Sequence, residues 1–324
     1  MRSRRTMTAR RLAPPRPRCC TTQTSSMRWL PPAPSERGNT AVITVALALC
    51  VAALWGTADF LGGFATRQIS VLTVLFWSQL IGLAGLAVWV VASEPEWPGG
   101  GMWPVVVGGI AEIAGLGCLY RGLAIGAMGI VAPISAAMSP VVPLAFDLVR
   151  GHPPVTAQWF GIAFALVGIV LVSREPGSIR TQGVGRPPIA AGVGLALLAA
   201  LGFGIFIVGL GEASQESKSW AVAVTQLTAV SVLVVALLST RTVPRATKAL
   251  LPLILAVGIF GSLGNALIAL AASQGAIGII AVLSSLYPIT TILLARALLQ
   301  ERLGTTRTVG GLIALGGAAL IAVG

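Results

Sequence analysis

Five ionisable side chains stand inside otherwise apolar runs of this chain: Asp59, Glu112, Arg121, Asp147 and Arg296. A charge in such surroundings is costly unless it is paired or hydrated, so each is a candidate for ion or solute chemistry. Glu112 sits deepest, with no basic residue at comparable depth. Arg121 falls on the opposite side of the same helical run. An acid there that takes up and releases a proton suits proton coupling; a neutral acid hydrogen-bonded to a neighbour is the alternative. Asp59, Arg121 and Arg296 fall at similar depth near one face. That placement predicts an ion pair between Asp59 and an arginine, with a proton- or solute-binding Asp59 as the second reading. Asp147 and Arg150 are spaced for a local helix-end pair.

Neutral polar groups add a second cluster. Ser135, Ser139, Ser284, Ser285 and Tyr287 lie on two runs interrupted at corresponding positions by Pro140 and Pro288. Interrupted helices in matching positions point to a solute site and make the prolines hinge candidates; kinking without binding is the alternative for each residue. Trp55 either walls a cavity or packs. Gln79, Gln226 and Asn265 read as interhelical hydrogen-bonding groups. His152 is the single histidine. No HExxH, P-loop or G-x-S-x-G is present, so neither an enzyme nor a cofactor is expected. Cys19, Cys20, Cys50 and Cys118 form no metal spacing, so no metal is expected.

Helices in a membrane must position these groups. The chain is 55% hydrophobic and only 10% charged, with a mean hydropathy of +0.88, whereas soluble domains carry about 25% charged residues. Apolar runs alternate with short polar breaks, and about 20 apolar residues cross a bilayer core. The runs predict spans near 43–65, 70–92, 103–123, 128–149, 156–173, 188–210, 219–238, 249–271, 276–298 and 307–324. Strands in lipid need a closed barrel with period-two alternation, which is not seen. The expected fold is an all-α membrane protein with ten transmembrane helices. Trp97, Trp103, Trp159 and Trp220 fall near span ends, as interfacial anchors do. Residues 1–40, rich in Arg, Pro and Ser, are expected to form a disordered basic tail that meets lipid rather than nucleic acid.

The chain also repeats itself. Residues 126–135 read GAMGIVAPIS and residues 275–284 read GAIGIIAVLS. The same offset aligns Gly161, Ala165, Leu166, Gly168 and Leu171 with Gly310, Ala314, Leu315, Gly317 and Leu320. Two five-helix repeats follow, over 41–174 and 188–324, joined by a linker loop at 175–187. A unit with an odd number of crossings re-enters from the opposite face. Adjacent copies are then inverted, and inverted copies are the basis of alternating access.

Three features carry a resemblance. Trp55-Gly56 lies within AALWGTADFLGGFATR. Each half has a Gly-rich turn leading to a helix with a central proline, Gly126 to Pro140 and Gly275 to Pro288. The second half ends in LLQERLGTTRTVGGLIALGGAALI, with Glu301 after its fourth helix. On these, residues 43–324 resemble the drug/metabolite transporter superfamily, in proteins with two EamA domains. The resemblance implies a multi-pass secondary transporter of the cell membrane. It would move, and most simply export, a small organic metabolite or amphipathic solute, with protons as a coupling partner and as a monomer or homodimer. A passive channel and a non-transporting scaffold are the alternatives. One departure is LVRGHPP, where Arg150, Gly151 and His152 occupy a turn that often holds Gly-Glu. Loop charge favours cytoplasmic odd-numbered loops; the resemblance implies the reverse, with both termini in the cytoplasm.

Overall fold

The computed structural model describes residues 34–66, 68–93, 96–124, 134–173, 189–299 and 305–323. Glu301, the linker at 175–187, residues 1–33 and most of the first Gly-rich motif lie outside the described residues, as does the Arg296 side chain. Among the described residues every regular element is helical. The order is α1 (Pro34–Ala65), α2 (Val71–Ser93), α3 (Trp103–Ala124), α4 (134–138), α5 (Val141–Val149), α6 (Thr156–Ser173), α7 (Ile189–Ala213), α8 (Lys218–Thr240), α9 (Leu251–Ala272), α10 (Ile277–Ser284), α11 (Tyr287–Leu299) and α12 (Thr305–Val323).

Among the described residues, long and shorter apolar helices stand where the ten spans were expected. Six segments are long and apolar enough to cross a bilayer: Val42–Ala65, Val71–Ser93, Trp103–Gly122, Gly192–Ala213, Lys218–Thr240 and Lys248–Ala272. Ile134–Val149, Thr156–Leu171, Ile277–Thr291 and Val309–Ile321 are shorter apolar helices. Two of these are broken midway, and the backbone shows how. Pro140 has no N–H to give the Ala136 carbonyl, so the Ser139 hydroxyl donates to that carbonyl at 3.3 Å. In the second break Leu286 N–H turns to Leu283 O at 3.2 Å, and the Ser285 hydroxyl donates to the vacated Val282 carbonyl at 2.7 Å. Side-chain rescue of freed carbonyls is what makes a break tolerable in an apolar medium. Pro288 lies in the first turn of α11, where its missing N–H does least harm.

Helix packing pairs the two halves throughout. α3 lies against α7 and α1 against α9; α2 meets α8 and α6 meets α12. The α6–α12 seam uses the repeated small residues identified in the sequence. A Cβ on Gly168 would stand 2.6 Å from the Cβ of Ala314, and one on Gly317 would stand 2.6 Å from the Ala165 nitrogen. These two contacts are each other's image under the repeat offset. Gly161 meets Gly317 and Ile321 while Gly168 meets Ala314, so α6 and α12 run antiparallel. Without a hydrophobic drive between helices in lipid, such close backbone approach supplies the packing energy. Outward-facing Val88, Val91, Phe160, Leu238 and Leu312 are exposed, as suits a lipid-facing surface.

Several turns are specified locally. α5 ends at Gly151, whose φ of +77° lets His152 N–H reach Asp147 O at 2.9 Å, a glycine-terminated helix end. α8 starts at Ser217, whose hydroxyl accepts from Trp220 N–H at 3.2 Å, the usual work of an N-cap serine.

Candidate functional site

A cavity of about 100 Å³, room for several waters, lies between the halves. Each helix that reaches it offers one face at three- and four-residue spacing, as helical geometry requires. α1 presents Trp55, Ala58 and Asp59, and α2 presents Leu75, Ser78 and Gln79. α3 presents Glu112, Leu116 and Tyr120. From the second half come Phe203, Phe206 and Ile207 of α7 and Val257, Gly261 and Asn265 of α9. The broken helices contribute Ser139, Ala281, Ser285 and Tyr287. Asp59, Tyr120, Leu75 and Val257 lie near the ends of their helices that meet the 66–70 turn and the 241–250 connection. The cavity therefore occupies that half of the bundle.

One hydrogen-bonded chain crosses it. The Trp55 indole donates from Nε1 to Asn265 Oδ1 at 3.0 Å, and Asn265 Nδ2 donates to Glu112 Oε1 at 3.1 Å. An indole can only donate, so it fixes the amide with its NH₂ toward the acid. Glu112 is 6% exposed, and its Oε2 has no partner among the described residues. That oxygen can hold a proton or accept from a bound solute. Gly56, beside Trp55, admits the second break: a Cβ there would stand 2.5 Å from Tyr287 O, and Thr291 Oγ1 donates to Gly56 O at 3.1 Å. Trp55-Gly56 thus combines a cavity wall with a docking point for α11.

Of the two arginines expected to pair with Asp59, Arg296 has its side chain outside the described residues. Arg121 is exposed, and among the described residues no ion pair joins it to Asp59. Consecutive helix residues diverge by about 100°, so Tyr120 faces inward and Arg121 faces out. The Tyr120 hydroxyl stands against Gly62, one turn along α1 from Asp59. Asp59 is close enough to interact electrostatically with both Tyr120 and Tyr287.

The serines sort differently. Ser139 and Ser285 line the cavity while serving the helix breaks. Ser135 lies behind the wall, its hydroxyl 3.4 Å from that of Tyr287. Ser284 is fully buried and donates to Ile280 O at 2.7 Å. Gln226 donates from Nε2 to the backbone and side-chain oxygens of Gln79, so the two glutamines join α2 to α8.

The local Asp147–Arg150 pair is absent. Asp147 is buried, and its Oδ2 accepts from Gly278 N–H at 2.6 Å, capping α10 from another helix. Arg150 points outward, pairs with Glu212 and lies 4.9 Å from the centre of the Phe146 ring. Burial explains the split: a carboxylate facing a helix N-terminus has N–H donors at hand, and the guanidinium keeps to solvent.

Tyr120, Phe203 and Phe206 were not among the sequence candidates. Their signal was the helical spacing from Glu112 to Leu116 to Tyr120, and from Phe203 to Phe206 and Ile207. Among the described residues no group of acids, histidine and cysteines forms a metal site.

Residues 42–174 and again 190–323 match the EamA-like transporter family. A solved structure described only as "Crystal structure of protein" is 18% identical with a TM-score of 0.68, covering 89% of this chain and 96% of that chain. It shows a shared fold. No curated protein matches.

Proposed function

The chain belongs to the EamA-like transporter family, and from that premise we propose a secondary transporter that moves a small organic solute by alternating access. It is a multi-pass membrane protein of the drug/metabolite transporter type. In our reading its two halves are inverted and make ten crossings of the cell membrane. The antiparallel run of α6 against its counterpart α12 supports inversion. The observation that carries the reading is the cavity between the repeats, lined from both and bordered by two broken helices. Such breaks at matching positions are where transporters of inverted design hold solute.

Glu112 is the proposed coupling acid. Glu112 lines the cavity, its Oε2 has no partner among the described residues, and its Oε1 is held by a residue of the other repeat. Asp59 is the second acid, and export is the proposed direction. The test is solute flux in proteoliposomes with an imposed pH gradient. Accumulation against the solute's own gradient is expected. Flux only down that gradient indicates a passive facilitator, and no flux of any solute indicates a non-transporting protein.

A further inference from the structure

The cavity has a chemical sign. Two carboxylates, Asp59 and Glu112, line it, and no Lys, Arg or His does so among the described residues. Five aromatic side chains help to wall it: Trp55, Tyr120, Phe203, Phe206 and Tyr287. Glu112 is more than nine-tenths buried, yet its Oε2 has no partner among the described residues.

We propose that this cavity takes a small organic cation, an ammonium group carried on an apolar or aromatic body. The inference rests on the transport reading above and names its substrate class. An ammonium group has three donors and no acceptor. Ionised Glu112 and Asp59 offer acceptor oxygens and no donors. A charge leaving water needs a partner of opposite sign, which these acids supply. Aromatic faces attract cations electrostatically as well as burying apolar surface. An anionic solute meets two like charges and no counter-charge. A neutral solute of the same shape leaves the Glu112 oxygen without a charged donor.

The experiment uses the full chain in lipid nanodiscs and three probes of one shape: 2-phenylethylamine, its neutral analogue 2-phenylethanol, and the anion 3-phenylpropanoate. Binding is measured by calorimetry. The amine is expected to bind about tenfold or more tighter than the alcohol, the worth of one charge-assisted hydrogen bond, and the anion is expected not to bind. Glu112→Gln and Asp59→Asn should each weaken the amine by a larger factor than the alcohol. Glu96→Gln, at an exposed position outside the cavity, should leave all three unchanged. Equal binding of amine and alcohol to the unaltered protein overturns the proposal, as does no amine binding at millimolar concentration. That comparison decides the matter even if an acid variant fails to fold. Flux assays separate the two readings. Transport of acids or neutral solutes but not of amines overturns the cation class and keeps the transporter. No flux of any solute overturns the transporter, while amine selectivity in nanodiscs still tests the cavity.

Discussion

Asn265 holds the two acceptor–donor roles that join the repeats inside the cavity, taking the Trp55 N–H and giving to Glu112. Asn265→Leu removes both roles and leaves buried polar groups unpaired. The expected cost is about 1–3 kcal/mol for each group so exposed, read as a lowered midpoint of thermal unfolding, together with a loss of solute flux. Glu112→Gln keeps the shape and the amide contact but cannot ionise. It should preserve folding while uncoupling flux from an imposed pH gradient; a variant still driven by that gradient would show that Glu112 is not the coupling acid. Sequence made the two acids visible because a charge in an apolar run stands out. It did not show Tyr120, because a tyrosine near a helix end is ordinary. Nor did it separate Asp59 from Arg121, since linear depth says nothing about which way a side chain turns.

Among the elements, the small residues of α6 and α12 were legible in the sequence as a repeat, but their packing against each other was not: small residues permit close approach without naming the partner. Gly168→Leu should overpack the seam and cost about 1–3 kcal/mol. Gly316→Ala, with open space at its Cβ position, should leave the unfolding midpoint no lower, since alanine favours a helix over glycine. The helix breaks were anticipated from Pro140 and Pro288, but the rescue of freed carbonyls by Ser139 and Ser285 depends on rotamers. The cap on α10 is a further case. Asp147→Ala should destabilise by about 0.5–2 kcal/mol, the range for losing an N-cap. Asp147→Asn, which retains an acceptor oxygen, should lose less. Equal losses would show that the contact to Gly278 N–H contributes nothing.

At the level of the whole molecule, one end of the bundle is tied across the halves. Arg150 pairs with Glu212, and Trp97 stacks edge-on against Trp220 at 5.0 Å. The cavity lies toward the other end. Arg150→Ala should raise the reactivity of a cysteine placed at Ala281 toward reagents added from the tied end. Exchanging the two charges, Arg150→Glu with Glu212→Arg, should restore protection. With the termini in the cytoplasm, cysteines placed in 241–248 should label from outside; cytoplasmic labelling there would reverse the orientation. Hydropathy could count apolar runs but could not show how the chain breaks at α4–α5 and α10–α11, because those interruptions are set by the backbone.

In the proposed inverted arrangement, the pairing of α6 with α12 and of α2 with α8 joins each helix to its own counterpart, so both seams would sit on the pseudo-twofold axis relating the repeats. The pairs α3–α7 and α1–α9 are different: the axis carries one onto the other. If the halves trade conformations during transport, the axial seams look the same before and after. The off-axis pairs must exchange geometries. α3–α7 is now joined by glycine approaches such as Gly108 to Phe206 and Gly202 to Ala111, whereas α1–α9 is spaced by the Trp55 indole lying against Gly264. The opposite-facing state can therefore be built from this one by fixing two seams as an axle and giving each off-axis pair the other's spacing. Cross-links across α6–α12 should then be silent to function, whereas one across α1–α9 should arrest the cycle.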